Sequence, residues 1–418
     1  MSIVSLIYTY DLKNSGDMAI NLGAFDLLQD LNFKIKAFSK SNENDKEFQK
    51  SKAYINEYYP KIKFYGGPFK LNRDDNKMVT VLNHFNGYLK TIGINEDNYF
   101  INELTSSNLI IFNGGNLFRA ESFADYARLL ALMYPLKKAR EKKIPFIIFP
   151  QSASNINRLG HKLLNKNLEQ AKRVFTREDK SYHYLKETFS NLKMEKSIDL
   201  AFFIKDNNRA KEKYKDRYSK FFNLRSKKIA ITLRTQVVGD LGELGETKKN
   251  KIMKVIKKTI EHYLEMENTQ LTLIIQTRKD KVITEQIYNK YKHTSKVTLI
   301  EEYDCLVLRE IYRNCDLLIG MRLHSIIMAL STYTPAVGFF DEDWGLKNPG
   351  LMQKFKLPYK FVEDEVTDLV NECDFVINNK NEIKIRIKDT VEKETERIKF
   401  SLNELITTEN LTAVYKAF

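Results

Sequence analysis

Residues 318–325, LIGMRLHS, place Arg322 and His324 two apart, after an apolar run ending at Gly320 and before another, IIMALSTY. A strand stopping at glycine and feeding straight into a helix aims the first-turn amides at whatever sits above the sheet edge, which favours an anion. Arg322 adds a permanent positive fork for phosphate or carboxylate, and His324 is the side-chain type whose proton is loose near neutrality. Anion binding coupled to proton transfer is the chemistry this octapeptide could do. In isolation an Arg-Leu-His at a helix start is more often a surface cation pair flanking a buried leucine, so the rest of the chain has to decide.

Ligands of open parallel sheets bind beyond the carboxyl ends of strands, which makes the residues that follow apolar runs the candidate list. After the first run come Asn14, Gly16 and Asp17, with Asp17 read as an N-cap or first-turn acid of the next helix. After NLIIF come Gly114, Gly115 and Asn116. A glycine pair lets backbone amides approach a ligand closely, although any tight βα turn also needs one. Arg177 follows RVF, Arg234 follows KKIAITL, and Arg278 follows LTLIIQT, with Asp280 opening the next helix. Together with Arg322, these strand-end arginines would coat a cleft with positive potential and suit a small di- or trianion.

The elements that must position these residues alternate along the whole chain. SIVSLIYTY, FKIKAF, NLIIF, PFIIFPQ, RVFTRE and IDLAFFI read as strands, with an amphipathic helix from Phe123 to Lys142. In the second half KKIAITLRTQ, LTLIIQTR, KVTLIEEY, CDLLIGMR, TPAVGFFDED and YKFVED alternate with helices near 247–267, 280–292, 305–314, 324–333 and 365–378. Apolar runs without clean alternation fit strands covered on both faces. The expected fold class is therefore α/β, with two Rossmann-like, doubly wound parallel-sheet domains facing each other across a cleft. The expected division is an N-terminal domain over 1–205, a lysine-rich linker over 206–228, a C-terminal domain over 229–379, and a charged helical segment over 380–418 that packs back on the first domain.

Composition narrows the function. At 418 residues and 43% hydrophobic, the chain can build more than one core. No apolar window reaches the ~18 residues of a spanning helix, and the start lacks a basic n-region and a small-residue cleavage site, so a cytoplasmic protein is expected. Cys305, Cys315 and Cys373 show no paired spacing, which argues against a disulfide framework or a zinc site. The formal net charge of +14 points to anionic partners. Nucleic acid is disfavoured because no RNP motif, zinc finger or helix-turn-helix pattern is present; a phosphorylated substrate or an anionic inner membrane face fits the charge equally well. There is no GxxxxGK[ST] loop, GxGxxG, HExxH or GxSxG, so kinase-type ATP use, hydride transfer and serine hydrolysis lose ground. His84, His161, His183, His262 and His293 read as solvated surface residues.

The order of segments resembles the polysaccharide pyruvyl transferases. The matching pieces are Asn14-x-Gly16-Asp17, Gly114-Gly115-Asn116-Leu117, the Arg177 turn with Ser181, Asp199-Leu200-Ala201-Phe202, the strand ending at Arg234, and Gly320-Met321-Arg322-Leu323-His324-Ser325. Two segments depart from the family pattern. Pro150-Gln151-Ser152-Ala153-Ser154 stands where a GQGxGP-like turn is common, and Phe340-Asp341-Glu342-Asp343-Trp344-Gly345-Leu346-Lys347 stands where many members carry YDxK, which makes Lys347 the candidate for that lysine. The resemblance implies a GT-B-like pair of Rossmann domains that moves pyruvate from phosphoenolpyruvate onto a sugar as a ketal, with no metal and no cofactor beyond that donor. It implies that Arg322, Leu323 and His324 contact phosphoenolpyruvate, that Arg177 is a second anion clamp, and that Asn14 lies near donor or acceptor.

On that reading His324 handles the proton and Asp17 deprotonates the acceptor hydroxyl, and His324→Ala and Arg322→Ala each abolish transfer with the fold intact. The acceptor is a glycan or lipid-linked saccharide, peripheral contact with an anionic membrane is compatible, and the oligomeric state is left open. The alternatives are a GT-B-type glycosyltransferase using a nucleotide sugar, a binder of nucleic acid or anionic lipid driven by net charge, and a family member that has drifted to another donor.

Overall fold

The computed structural model describes residues 2–69, 77–94, 96–221, 225–237, 242–345, 347–364 and 368–409. The side chain of His84, and Leu346, 365–367 and 410–418 within the segments read above, lie outside them. The chain divides into two compact units, the first made of Met1–Lys13, Asp17–Lys205 and Glu394–Phe418, the second of Asn14–Gly16 and Asp206–Lys393.

The first unit is built on β1 (Ile3–Thr9), β2 (Lys34–Ser39), β3 (Lys63–Tyr65), β4 (Leu109–Phe112), β5 (Gly115–Ala120), β6 (Phe146–Ile156), β7 (Arg173–Thr176) and β8 (Met194–Lys196). Their order is β3-β2-β1-β4-β6-β7-β8, with β5 also paired to β6, and every pairing is parallel. The second unit holds β9 (Lys227–Thr232), β10 (Thr269–Ile275), β11 (Val297–Glu301), β12 (Leu317–Gly320), β13 (Ala336–Phe340) and β14 (Tyr359–Phe361) in the order β11-β10-β9-β12-β13-β14, again all parallel. Central strands such as LIIF and LLIG are buried at every position, the consequence of helices covering both faces of a parallel sheet.

Both strand orders reverse direction once, between β1 and β4 in the first unit and between β9 and β12 in the second. Loops leaving neighbouring strands there diverge to opposite faces and open a crevice at the carboxyl edge, where ligands of doubly wound sheets bind. The segments Asn14–Asp17 and Gly114–Asn116 follow the two strands of the first reversal; Arg234 and Gly320–His324 follow the two strands of the second.

Several expectations are corrected. The apolar run at 200–203 is not a strand: Leu200–Phe203 form a 3-10 turn whose first amides are capped by Asp199, with Oδ1 accepting from the Ala201 amide at 3.0 Å. A capping carboxylate before the run prevails over its apolar character. The lysine-rich stretch expected as a linker carries a helix, Asn208–Tyr218, which belongs to the second unit and packs against the helix Cys305–Arg313. Asp206 at its start pairs with Lys211 at 2.6 Å and with Arg313. His161 and His262 are not simply solvated. His161 Nε2 is 3.1 Å from the Tyr184 hydroxyl, and His262 lies 3.5 Å from an Asp374 carboxylate oxygen and edge-on to Tyr263. The final helix runs Lys380–Thr408, and its last turns contribute to the first unit, where Ser401 donates to Glu195 at 3.0 Å and Arg173 pairs with Glu404 at 3.3 Å. The three cysteines are buried. Among the described residues no helix is long and apolar enough to cross a membrane, and no cluster of three or more His, Cys, Asp or Glu is arranged to hold a metal.

Candidate functional site

In the second unit, β12 passes to the helix Leu323–Leu330 through only Met321 and Arg322. The turn is held from within. The Met321 amide donates to the Thr232 carbonyl at 3.1 Å, the Ser325 hydroxyl donates to the Arg322 carbonyl at 2.7 Å, and Ser325 and Thr232 share a hydrogen bond at 2.9 Å. Leu323 and His324, in the first turn, stay half-buried at the carboxyl edge beside the end of β9, while Met321 and Ser325 are buried.

Arg322 is 9% exposed and Asp280 only 1%. The guanidinium donates through Nε and Nη2 to the two carboxylate oxygens of Asp280, the second contact at 2.6 Å, and through Nη2 to Oε1 of Gln236. Gln236 in turn donates to the Lys279 carbonyl at 2.8 Å and its own carbonyl accepts from the Trp344 indole at 2.9 Å. A bidentate pair with so little exposure fixes the plane of the arginine and offsets its charge. Arg234, after β9, lies 4.5 Å over the Trp344 ring and donates to the carbonyls of Gln236 and Val237. Its stem and face are therefore ordered by an aromatic ring and two backbone carbonyls. Arg278 is exposed in the short 3-10 turn before Asp280. Lys347 opens the helix Lys347–Lys354 and is half-buried. Before it, Asp341 and Asp343 bind Lys248 at 2.8 and 2.9 Å together with Glu363. Burial disfavours the Lys248 ammonium, yet these three carboxylates hold its pKa well above the ordinary lysine value.

Asn14 belongs to the same unit, where its Oδ1 accepts from the Gly16 amide at 2.9 Å and so caps the helix Ser15–Asp30. Of the two roles read for Asp17, N-cap or first-turn acid, it has the second; the cap is Asn14, and Asp17 belongs to the first unit.

In the first unit, β1 ends in an irregularity. Its register to β2 shifts between Ile7 and Thr9, and Tyr8 takes φ 62°, a left-handed conformation that a tyrosine adopts at a cost. The kink sends the Tyr8 hydroxyl to the Ala131 carbonyl at 2.8 Å and the buried Tyr10 hydroxyl to the Gly114 carbonyl at 3.0 Å. Gly115 has φ +131°, and a Cβ there would lie 2.0 Å from the Tyr10 hydroxyl; a Cβ on Gly114 would lie 2.6 Å from a Leu200 methyl. The glycine pair is thus required by close internal packing. Asn116 is exposed on β5. Behind it, Asn113 and Asn21 share a 2.9 Å hydrogen bond, and Gln151 Oε1 accepts from the Leu117 amide at 3.1 Å.

Arg177, after β7, is fully engaged. It donates to Ser152 at 2.5 Å and to Asp199 at 2.8 Å and lies 3.3 Å from Glu178, which also accepts from Ser152 and Ser181. Burial lowers its pKa, but Asp199 and Glu178 outweigh that and raise it. Burial, then the negative charge of Asp17, pushes the Tyr10 phenol far up, while Arg177 and Arg128 pull it down. Asp17, Tyr10, Arg128 and Arg177 therefore share one electrostatic neighbourhood at the β1/β4 edge.

The structure thus brings Asp17, Gly114, Gly115 and Arg177 to one sheet edge, and Arg234, Arg322, Leu323 and His324 to another. The residues that sequence reasoning passed over are Tyr10, Arg128, Gln236 and Trp344, while Asp280 reads from sequence only as opening a helix. Tyr10, Gln236 and Trp344 also come soon after strands, so the rule that found the arginines could have found them had aromatic and amide side chains been weighed alongside cations.

Comparison with known proteins adds three findings. A family profile described as polysaccharide pyruvyl transferase matches residues 14–340. An uncharacterized protein of Methanocaldococcus jannaschii is 30% identical over 152 residues, 36% of this chain and 33% of that protein, so the chain spans about a third of that relative's length. Among solved structures, UDP-GlcNAc 2-epimerase from Methanocaldococcus jannaschii (12% identity, 96% of this chain and 99% of that one, TM-score 0.58) and UDP-GlcNAc 2-epimerase from Neisseria meningitidis bound to UDP-GlcNAc (13%, 97% and 100%, TM-score 0.57) are similar. At these identities the likeness is one of fold, two parallel-sheet α/β units in the GT-B-type class.

Proposed function

We propose, from the premise that this chain belongs to the polysaccharide pyruvyl transferase family, that it transfers pyruvate from phosphoenolpyruvate to a sugar of a polysaccharide or its lipid-linked precursor. One observation carries the reading: Arg322, Leu323 and His324 follow β12, and Arg234 follows β9, the two strands at which the second sheet reverses.

Phosphoenolpyruvate carries a phosphate and a carboxylate, roughly three negative charges that a site must offset with cations and amides. Arg234 and the amides of the helix Leu323–Leu330 suit that task, with Arg322 held in orientation by Asp280. An acceptor hydroxyl adds to the central carbon as His324 protonates the methylene carbon, and a carboxylate base takes the hydroxyl proton. Inorganic phosphate then leaves, and a second hydroxyl of the same sugar closes the ketal. The donor is the one substrate this chemistry requires besides the glycan, with no metal step in it. The excess of positive charge suits work beside an anionic inner membrane face.

The likeness in fold to an epimerase bound to UDP-GlcNAc favours a second reading, a nucleotide-sugar glycosyltransferase. Thermal denaturation of the full chain separates the two. Phosphoenolpyruvate at 100 times its dissociation constant raises stability by about 2.7 kcal/mol, whereas UDP leaves it unchanged. Stabilisation by UDP and none by phosphoenolpyruvate supports the glycosyltransferase instead.

A further inference from the structure

Away from the two sheet reversals, the first unit contains a hollow of about 200 Å³ at the carboxyl ends of β2 and β3. Aromatic rings make one wall. Tyr65 stacks on Phe38 with centroids 5.1 Å apart and planes within 17°, Tyr99 leans on Tyr65 at 6.4 Å, and Phe100 meets Phe38 edge-on at 5.3 Å. Asn42, Glu43, Asn44 and Asp97 supply the polar wall, and among the described lining residues there is no lysine or arginine, the Lys36 ammonium lying 6.0 Å from the Tyr65 ring centroid. The rim is tied down. The Gly67 amide donates to the Ser41 carbonyl at 2.8 Å, Asn42 donates to the Gly67 carbonyl at 3.3 Å, and Ser41 donates to Asp11, just beyond β1, at 2.7 Å.

The geometry points to a glycan subsite here, one that takes a neutral hexose ring adjoining the sugar that reacts. Volume is the first reason: the hollow is smaller than the roughly 300–1,000 Å³ of drug-sized ligand sites, and so of single-ring size. Chemistry is the second. The C–H face of a pyranose carries slight positive charge and settles on the negative face of an aromatic ring, and Tyr99, 61% exposed, offers such a face. Amide groups donate to and accept from vicinal hydroxyls and carboxylates accept from them, whereas the two carboxylates on the described wall disfavour the phosphate of phosphoenolpyruvate or a nucleotide. Position is the third. β3 lies two strands from β1, about 10 Å at the ~4.8 Å strand spacing, on the same edge as Asp17. That is the reach of a chain one or two rings longer than the reacting sugar.

The use made of the bound glycan rests on the pyruvyl-transfer reading; the binding itself does not. The test is retention of the full chain, without phosphoenolpyruvate, on an array of neutral hexose monosaccharides and oligosaccharides. The wild type is retained on at least one oligosaccharide of two or more rings. Tyr99→Ala lowers that retention at least tenfold, and Tyr99→Phe, which keeps the ring, does not. No retention of the wild type on any neutral glycan, or equal retention of Tyr99→Ala, overturns the subsite. Tyr99 is exposed, so its loss leaves the core intact, and circular dichroism of the variant confirms this. Failure of phosphoenolpyruvate turnover with retention preserved strikes the activity and leaves the subsite standing.

Discussion

At the scale of single residues, Arg322 and His324 are neighbours in sequence with different work. Sequence alone reads Arg322 as an anion fork whose removal spares the fold. Its bidentate bond to the buried Asp280 alters that expectation, because deleting one partner of a buried pair strands the other's charge. Asp280→Ala and Arg322→Ala are each expected to cost about 3–5 kcal/mol in urea denaturation. The double variant Asp280→Leu/Arg322→Met regains most of it, since apolar replacement of a whole buried pair is often neutral. A single-variant loss within about 0.5 kcal/mol, the range of ordinary surface changes, would mean that the pair is not formed in solution. His324 is half-buried in the first helical turn, so its alanine variant keeps near-native stability and reports on chemistry. Arg322 is therefore tested for function by activity per folded molecule.

At the scale of elements, the ends of strands carry the account. β1 ends in a kink that turns Tyr10 against Gly115 while Leu200 packs on Gly114, and these two fits account for the glycine pair without a ligand. Gly115→Ala is expected to destabilise by roughly 2 kcal/mol or more, combining a left-handed strain with a steric clash. Adding Tyr10→Phe removes the hydroxyl that the new methyl would meet and recovers the clash share but not the strain share. Thermal unfolding of the two variants checks this, and equal melting temperatures for Gly115→Ala and wild type would refute the packing explanation. The alternation of apolar runs and helical spacing made the parallel sheets and the 123–141 helix legible in sequence, because burial on both faces leaves a local signature. What escaped was set by contacts distant in sequence. The 3-10 turn at Leu200–Phe203 depends on Asp199 acting as its cap while also binding Arg177. Asp280 looked like a helix-opening acid until the fold set it against Arg322, 42 residues on. The short strands β3 and β8, three residues each, are too brief to show a period.

At the scale of the whole molecule, two Rossmann-type units with the same reversal of strand order, in a chain belonging to the polysaccharide pyruvyl transferase family, support a division of labour. The first unit, with Asp17 and the aromatic hollow near Tyr99, is proposed to serve a glycan; the second, with Arg234 and the Arg322–His324 turn, the anionic donor. The net charge of +14 fits a protein drawn to anions, and the side chains placed after strands name where one would be held. The most direct test follows phosphorus. By 31P NMR, the wild-type chain incubated with phosphoenolpyruvate and a mixture of neutral and lipid-linked glycans should convert the enol phosphate signal to inorganic phosphate only when glycan is present, and His324→Ala, folded and equally concentrated, should not. Phosphoenolpyruvate left intact with every glycan, or turnover by His324→Ala at the wild-type rate, would contradict the account.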